Sequence, residues 1–224
     1  VYQSLSKGFS MSTKVEQKGA SSQRLKDELK ELKSKKGKNQ ESSRIHEIAK
    51  QLAAEKEWSS AIEAIQLITD EKERNILISD TIEGYLLPAK EIDQAKKFAK
   101  LLTPTPEMEP FVWIRIALAS KDPEQALKLA KQLPSPISRN FAFIHIMEYY
   151  LSNKEKSKID ELRKQMLENL KTIYDHKSRS FILRELAISL FYAYGEKEQA
   201  KEIAKLIPDE DMRSKVLKKV EATK

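Results

Sequence analysis

The sequence predicts an all-α protein, a helical-hairpin repeat solenoid of about five helix pairs behind a mostly flexible N-terminal tail. Three observations carry this. From Arg44 onward, apolar residues recur with helical spacing almost without a break. Glycine is scarce, with 5 in 224 residues, while 33% of residues are charged, a balance usual for helical chains and sparse for a sheet protein. A short phrase also returns along the chain: "EIDQAKKFAKLL" from Glu91, "DPEQALKLAKQLP" from Asp122 and "GEKEQAKEIAKLIPDEDMR" from Gly195.

The tail comes first. Residues 1–43 hold 10 basic and 5 acidic side chains, against 31 and 29 in residues 44–224, so most of the net charge of +7 belongs to the tail. Tyr2, Leu5 and Phe9 are isolated in a stretch rich in Ser, Lys, Gln and Gly, which buries too little to offset its ordering entropy. The same three residues fall at i, i+3 and i+7, the spacing of an amphipathic helix laid in a groove. Residues 1–10 therefore have a second reading as an added or fused docking peptide, with Met11 a candidate start. Near residues 22–36, Leu25, Leu29 and Leu32 make one narrow apolar stripe between an N-cap at Ser22 and a stop at Gly37. Two readings compete for this helix: a solvated charged linker, or a docking helix or basic arm for a partner.

The repeat domain is expected over residues 44–224. Ala61, Ala95, Ala126 and Ala200 open four similar short helices, each continued by small or apolar residues and closed by a stop such as Thr69-Asp70, Thr103-Pro104, Pro134 or Pro208. The spacings are 34, 31 and 74, so a degenerate copy is expected in "KSKIDELRKQMLENLKTIYDH". The partner helix starts at a second mark: Arg74-Asn75-Ile76, Glu109-Pro110-Phe111, Arg139-Asn140-Phe141, Arg179-Ser180-Phe181 and Arg213-Ser214-Lys215. A unit of helix, turn, helix and turn at this period indicates stacked helix pairs. Alanine at i and i+4 lets a short helix lie tight against its neighbours, and stacking buries faces that one pair alone cannot. The last segment, "RSKVLKKVEATK", reads as a capping helix with one wet face.

"YAYGEKEQAKEIAKLIPD" resembles the tetratricopeptide repeat, and the other copies resemble weaker members of that class. Tyr192, Gly195, Glu196, Glu198 and Ala200 fit the family pattern of an aromatic, a glycine, an acidic turn and an alanine opening the second helix. The second helices stop early, at Pro208 or Pro134, and most first helices lack the small residue expected midway, so repeats of the HEAT kind are a rival description. The resemblance implies a right-handed solenoid whose first helices line a protein-binding groove.

No catalytic signature occurs: no metalloprotease His pair, no nucleophile elbow, no phosphate loop and no dinucleotide fingerprint. His46, His145 and His176 are far apart and lack a second ligand at i+3 or i+4, and His145 reads as a structural histidine. The expectation is no enzyme, no cofactor and no metal. Without cysteine there is no disulfide framework, which fits a reducing compartment and an expected cytoplasmic location. No apolar run is long enough for a membrane span. RNA or DNA binding through the basic tail is one alternative, but the repeat body is near neutral and shows no recurring polar code.

Protein binding is the leading expectation, as a scaffold or adaptor, with a chaperone-like assembly factor serving several clients as the other alternative. The candidate partner-binding residues are Asp80, Tyr85, Arg115, Glu148, Tyr149, Glu185 and Tyr192. The four charged ones interrupt otherwise apolar helices, so each must be paired or exposed. Either Arg115 pairs with Asp80 or Glu148 to fix the stacking, or these charges form a mixed groove walled by the tyrosines and Trp113.

Overall fold

A helix that opens on alanine can approach its neighbours closely, and the computed structural model places all four marked alanines in full contact with their surroundings. It describes residues 21–34, 42–106 and 108–222, without the side chains of residues 190–194. The peptide 1–10, the tail to residue 20 and the expected stop at Gly37 lie outside the described residues. The described elements are α1 (21–34), α2 (Ser42–Ala54), α3 (Trp58–Ile65), α4 (Glu71–Thr81), α5 (Ile92–Ala99), α6 (Met108–Ala119), α7 (Pro123–Gln132), α8 (Pro136–Ser152), α9 (Lys156–Leu170), α10 (His176–Tyr194), α11 (Lys197–Lys205) and α12 (Glu210–Glu221). A π-helical turn, Ile82–Leu86, continues α4, and no strand occurs among the described residues.

The chain divides into two compact units, Val1–Thr103 and Pro104–Lys224. In the first, α2 packs on α3 and α4, and α4 with its π turn packs on α5. In the second, α6 pairs with α7, α8 with α9 and α10 with α11; α8 also touches α6 and α10, and α12 closes on α10 and α11. Within each unit, a long helix therefore meets its short partner and the next long helix.

Helix α1 is part of the first unit, a correction to the solvated reading. Leu25 and Leu29 are buried. The Ser22 hydroxyl donates to Glu57 at 2.9 Å, Lys26 pairs with Glu57 at 2.7 Å, and Arg44 grips Glu28 at 2.5 and 2.6 Å. A helix this short is marginal alone in water; a leucine stripe covered by its own chain and ion pairs along its edge hold it.

Every long helix except α12, which ends on the right-handed Ala222, closes in the same turn. Lys56, Lys90, Lys121, Lys154 and Gly195 adopt left-handed φ values of 65°, 60°, 62°, 59° and 69°. The following N–H, of Glu57, Glu91, Asp122 or Glu155, reaches back to Leu52, Leu86, Ala117 or Tyr150 at 2.8 to 2.9 Å. These bonds satisfy carbonyls that the helix end would leave unpaired. The acidic residue then opens the short helix, its carbonyl accepting from Ala61, Ala95, Ala126, Ile159 or Ala200. The degenerate copy is α9, with Ile159 in the alanine position. The four alanines are each 0% exposed.

The second turn repeats as well. Asp70, Thr105, Ser135, Asp175 and Asp209 cap the long helices through the N–H three residues on. Four residues beyond the cap, Arg74, Arg139 and Arg213 donate to the carbonyls of Ile68, Leu133 and Ile207 at 3.1, 2.7 and 3.2 Å, the last buried positions of the preceding short segments. The next residue ties one turn to another: Asn75 exchanges two 3.0 Å bonds with the Thr103 backbone, and the Ser180 hydroxyl accepts from Asp209 N–H.

Three outcomes follow for stability, read by urea denaturation with circular dichroism. Lys121→Gly relieves a left-handed side chain and raises stability by about 0.5–1 kcal/mol, whereas Gly195→Ala lowers it by about 1 kcal/mol. A Cβ at Gly195 would meet nothing within 4 Å, so that loss is purely conformational. Ala126→Leu, at a site with no exposed surface, overpacks and destabilises by about 1–3 kcal/mol.

Candidate functional site

The caps give the long helices a common register. Six residues past each cap stand Ile76, Phe111, Phe141, Phe181 and Lys215; ten residues past stand Asp80, Arg115, His145, Glu185 and Lys219. One turn separates the two sets, so on every long helix they share a face. The flanking positions are core: Ile114 and Ile116 beside Arg115, Ile144 and Ile146 beside His145, Leu186 beside Glu185. The ionisable side chains are therefore the wet stripe of helices that are otherwise buried.

In the second unit this stripe is bonded from helix to helix. Arg115 Nη1 lies 3.0 Å from His145 Nδ1, and the same nitrogen lies 3.3 Å from Glu148 Oε2. Ser189 Oγ on α10 donates to the other Glu148 oxygen at 3.3 Å. One ring nitrogen serves one partner at a time: its lone pair accepts from Arg115, or its proton is donated to Glu148. The hydrogen bond from His145 is the chief cause holding the Glu148 carboxyl below the ordinary glutamate value of 4.5, against the opposing effect of burial and with help from the His145 charge, Ser189 and Arg115.

The expected site residues fall as follows. Arg115 and Glu148 are brought together, but through His145 rather than by a direct pair, a correction to the expected contact. Asp80 is exposed and pairs within its own unit, with Lys50 at 3.4 Å. Glu185 is gripped by its neighbour Arg184 at 2.5 and 2.8 Å. Tyr85 is half-buried in the π turn, and Tyr149 is half-buried, edge-on to Tyr150 with ring centroids 6.0 Å apart. Tyr192 lies outside the described side chains. His145 is the functional-looking residue that composition missed; counting ten from its cap, Ser135, places it in the row with Arg115 and Glu185.

Two adjoining clefts lie at the end of this face in the second unit. One, of about 470 Å³, is walled by Ile137, Phe141, Phe181 and Met212. The other, of about 590 Å³, shares Met212 and Asp209 with it and is rimmed by Arg184, Glu185, Lys215 and Lys219. The Phe141 and Phe181 rings are 5.7 Å apart, and the Arg184 guanidinium sits 4.2 Å from the Phe181 ring centre. Such a surface offers charge pairing and apolar contact, the means of recognition. No group of side chains able to hold a metal occurs among the described residues.

Because the folded Glu148 carboxyl titrates below its unfolded value, its contribution is full above pH 4.5 and is lost as pH falls through the lower folded value. Glu148→Gln should therefore cost roughly 0.5 kcal/mol or less at about pH 6, with the difference from wild type narrowing as the pH is lowered below 4.5, as read by urea denaturation across that range.

Compared with known proteins, the chain matches no family model, and no curated protein or solved structure matches it significantly.

Proposed function

We propose that this chain is a tetratricopeptide-like solenoid that acts as a protein-binding scaffold or adaptor through the exposed face of its long helices. The observation that carries the reading is the double row on those helices: ionisable side chains ten residues past the caps, beside mostly apolar ones six residues past them. Interfaces draw their strongest contacts from aromatic and arginine side chains set in such mixed surfaces. The recurrence of one left-handed turn, one capped alanine and one arginine-closed turn supports the repeat description behind it. In a helical repeat, the surface left over after stacking is the binding face.

The test is site-directed photo-crosslinking in the full chain. A crosslinker at position 188, on the long-helix face, should trap a protein in lysate, whereas one at exposed Lys205 on α11 should not. Arg115→Glu should abolish that capture while the helical circular-dichroism signal and the unfolding midpoint stay close to wild type. Capture of RNA in place of protein, falling steeply with added salt, would replace this reading with a nucleic-acid one. Unfolding of Arg115→Glu, with capture unchanged in Glu185→Lys, would leave the charged row a purely structural device.

A further inference from the structure

The cleft among α8, α10 and α12 has a chemistry specific enough to name what it takes. Its floor is apolar, and Phe181 keeps 39% of its surface exposed at the mouth while Phe141, Ile137 and Met212 are half-buried around it. An exposed phenylalanine beside three further apolar side chains is a ready receptor for one bulky apolar side chain. The carboxylates around it are already engaged. Glu185 is held by Arg184, Asp211 by Lys215 at 2.6 Å, and Asp209 accepts from the Met212 N–H. Asp175, near the start of α10, is occupied by the N–H groups of Lys177 and Ser178 and by the Ser178 hydroxyl. The Lys177 ammonium is exposed on the rim and forms no ion pair within 4 Å among the described residues, though its charge helps hold the Asp175 carboxyl below its ordinary value. The cleft thus presents an apolar socket with one exposed cation on its rim.

Resting on the reading of the long-helix face as a binding surface, we propose that this cleft takes a peptide segment of a partner protein. The segment lays a Leu, Met, Phe or Trp side chain on the paired Phe141 and Phe181 rings, against Ile137 and Met212, and sets a neighbouring Asp or Glu against Lys177. Size favours a peptide over a second copy of the chain. A volume of about 470 Å³ lies in the range of sites for a few side chains, whereas a stable dimer covers about 800 Å² on each partner.

A random peptide library displayed on phage, panned against the full chain, tests this. Enriched peptides should carry a bulky apolar residue next to Asp or Glu, and a labelled peptide of that kind should bind about tenfold more weakly to Phe181→Ser. Lys177→Glu should switch the selection toward Lys or Arg beside the apolar residue. That variant places an acid in the first turn of α10, where the helix dipole welcomes it, so a changed selection is not a folding defect. Enriched peptides that ignore both substitutions but are lost in Arg115→Glu would sink the cleft and leave the wider binding face standing. No enriched peptide with the wild-type chain would overturn both. A dimer in sedimentation that dissociates on Phe181→Ser would overturn the peptide in favour of a second copy.

Discussion

How close the short helices can come to their neighbours is the constraint on which the rest depends. Ala61, Ala95, Ala126 and Ala200 retain no exposed surface, and each donates its N–H to the carbonyl of the acidic residue that opens its helix. A larger side chain there would hold the helix off at a distance where its later residues, such as Phe98, Leu133 and Ile207, could no longer be fully covered. The exception is instructive. Where Ile159 takes the alanine position, the helix runs longer, 15 residues in α9 against eight to ten in its counterparts, and a broader face of Leu162, Met166 and Leu170 is buried in compensation.

Close packing also limits how the long helices can vary. From cap to left-handed residue they span 20 residues in α4 with its π turn, 16 in α6, 19 in α8 and 20 in α10. The shortening in α6 relative to α4 is about one helical turn, so every face keeps its direction. The single residue by which α4 exceeds α8 is held in the π turn Ile82–Leu86, whereas α10 spans the same 20 residues as a continuous α-helix, so length alone does not require the π turn. Register measured from the cap is therefore preserved on the face where Asp80, Arg115, His145 and Glu185 stand, while differences in length accumulate at the far end. Tyr85 belongs to that far end, which sets it apart from the row it was grouped with.

The recurring alanines could be read directly because four copies make the same contact, and the arginine mark because Arg74, Arg139 and Arg213 close the same turn; Arg179 carries the mark, but its buried Nε has no partner among the described residues. The left-handed turns could not be read so. Glycine is the usual sign of that conformation, and only Gly195 carries it; four lysines hold it instead, the bonds to Leu52, Leu86, Ala117 and Tyr150 offsetting their strain. Whether helix α1 is solvated or docked stays open at the level of local composition, which weighs its charges and cannot see that Glu57 and Arg44, further along the chain, answer them. His145 is hydrogen-bonded, as expected of a lone histidine on an apolar helix, and its distance from Ser135 adds the stripe it belongs to.

That stripe also ties the long helices of the second unit to one another. Arg115 on α6, His145 and Glu148 on α8 and Ser189 on α10 form one chain of hydrogen bonds across three long helices, and at its centre a single ring nitrogen is offered both a donor and an acceptor. Its two arrangements differ in which neighbour the imidazole serves, Arg115 or Glu148, and Ser189 donates to Glu148 as well. The helices themselves are pinned by buried aliphatic contacts and by closed turns, so neither arrangement requires the backbone to move. The row thereby joins three long helices along their polar edge, while the buried aliphatic side chains beside it fix their spacing.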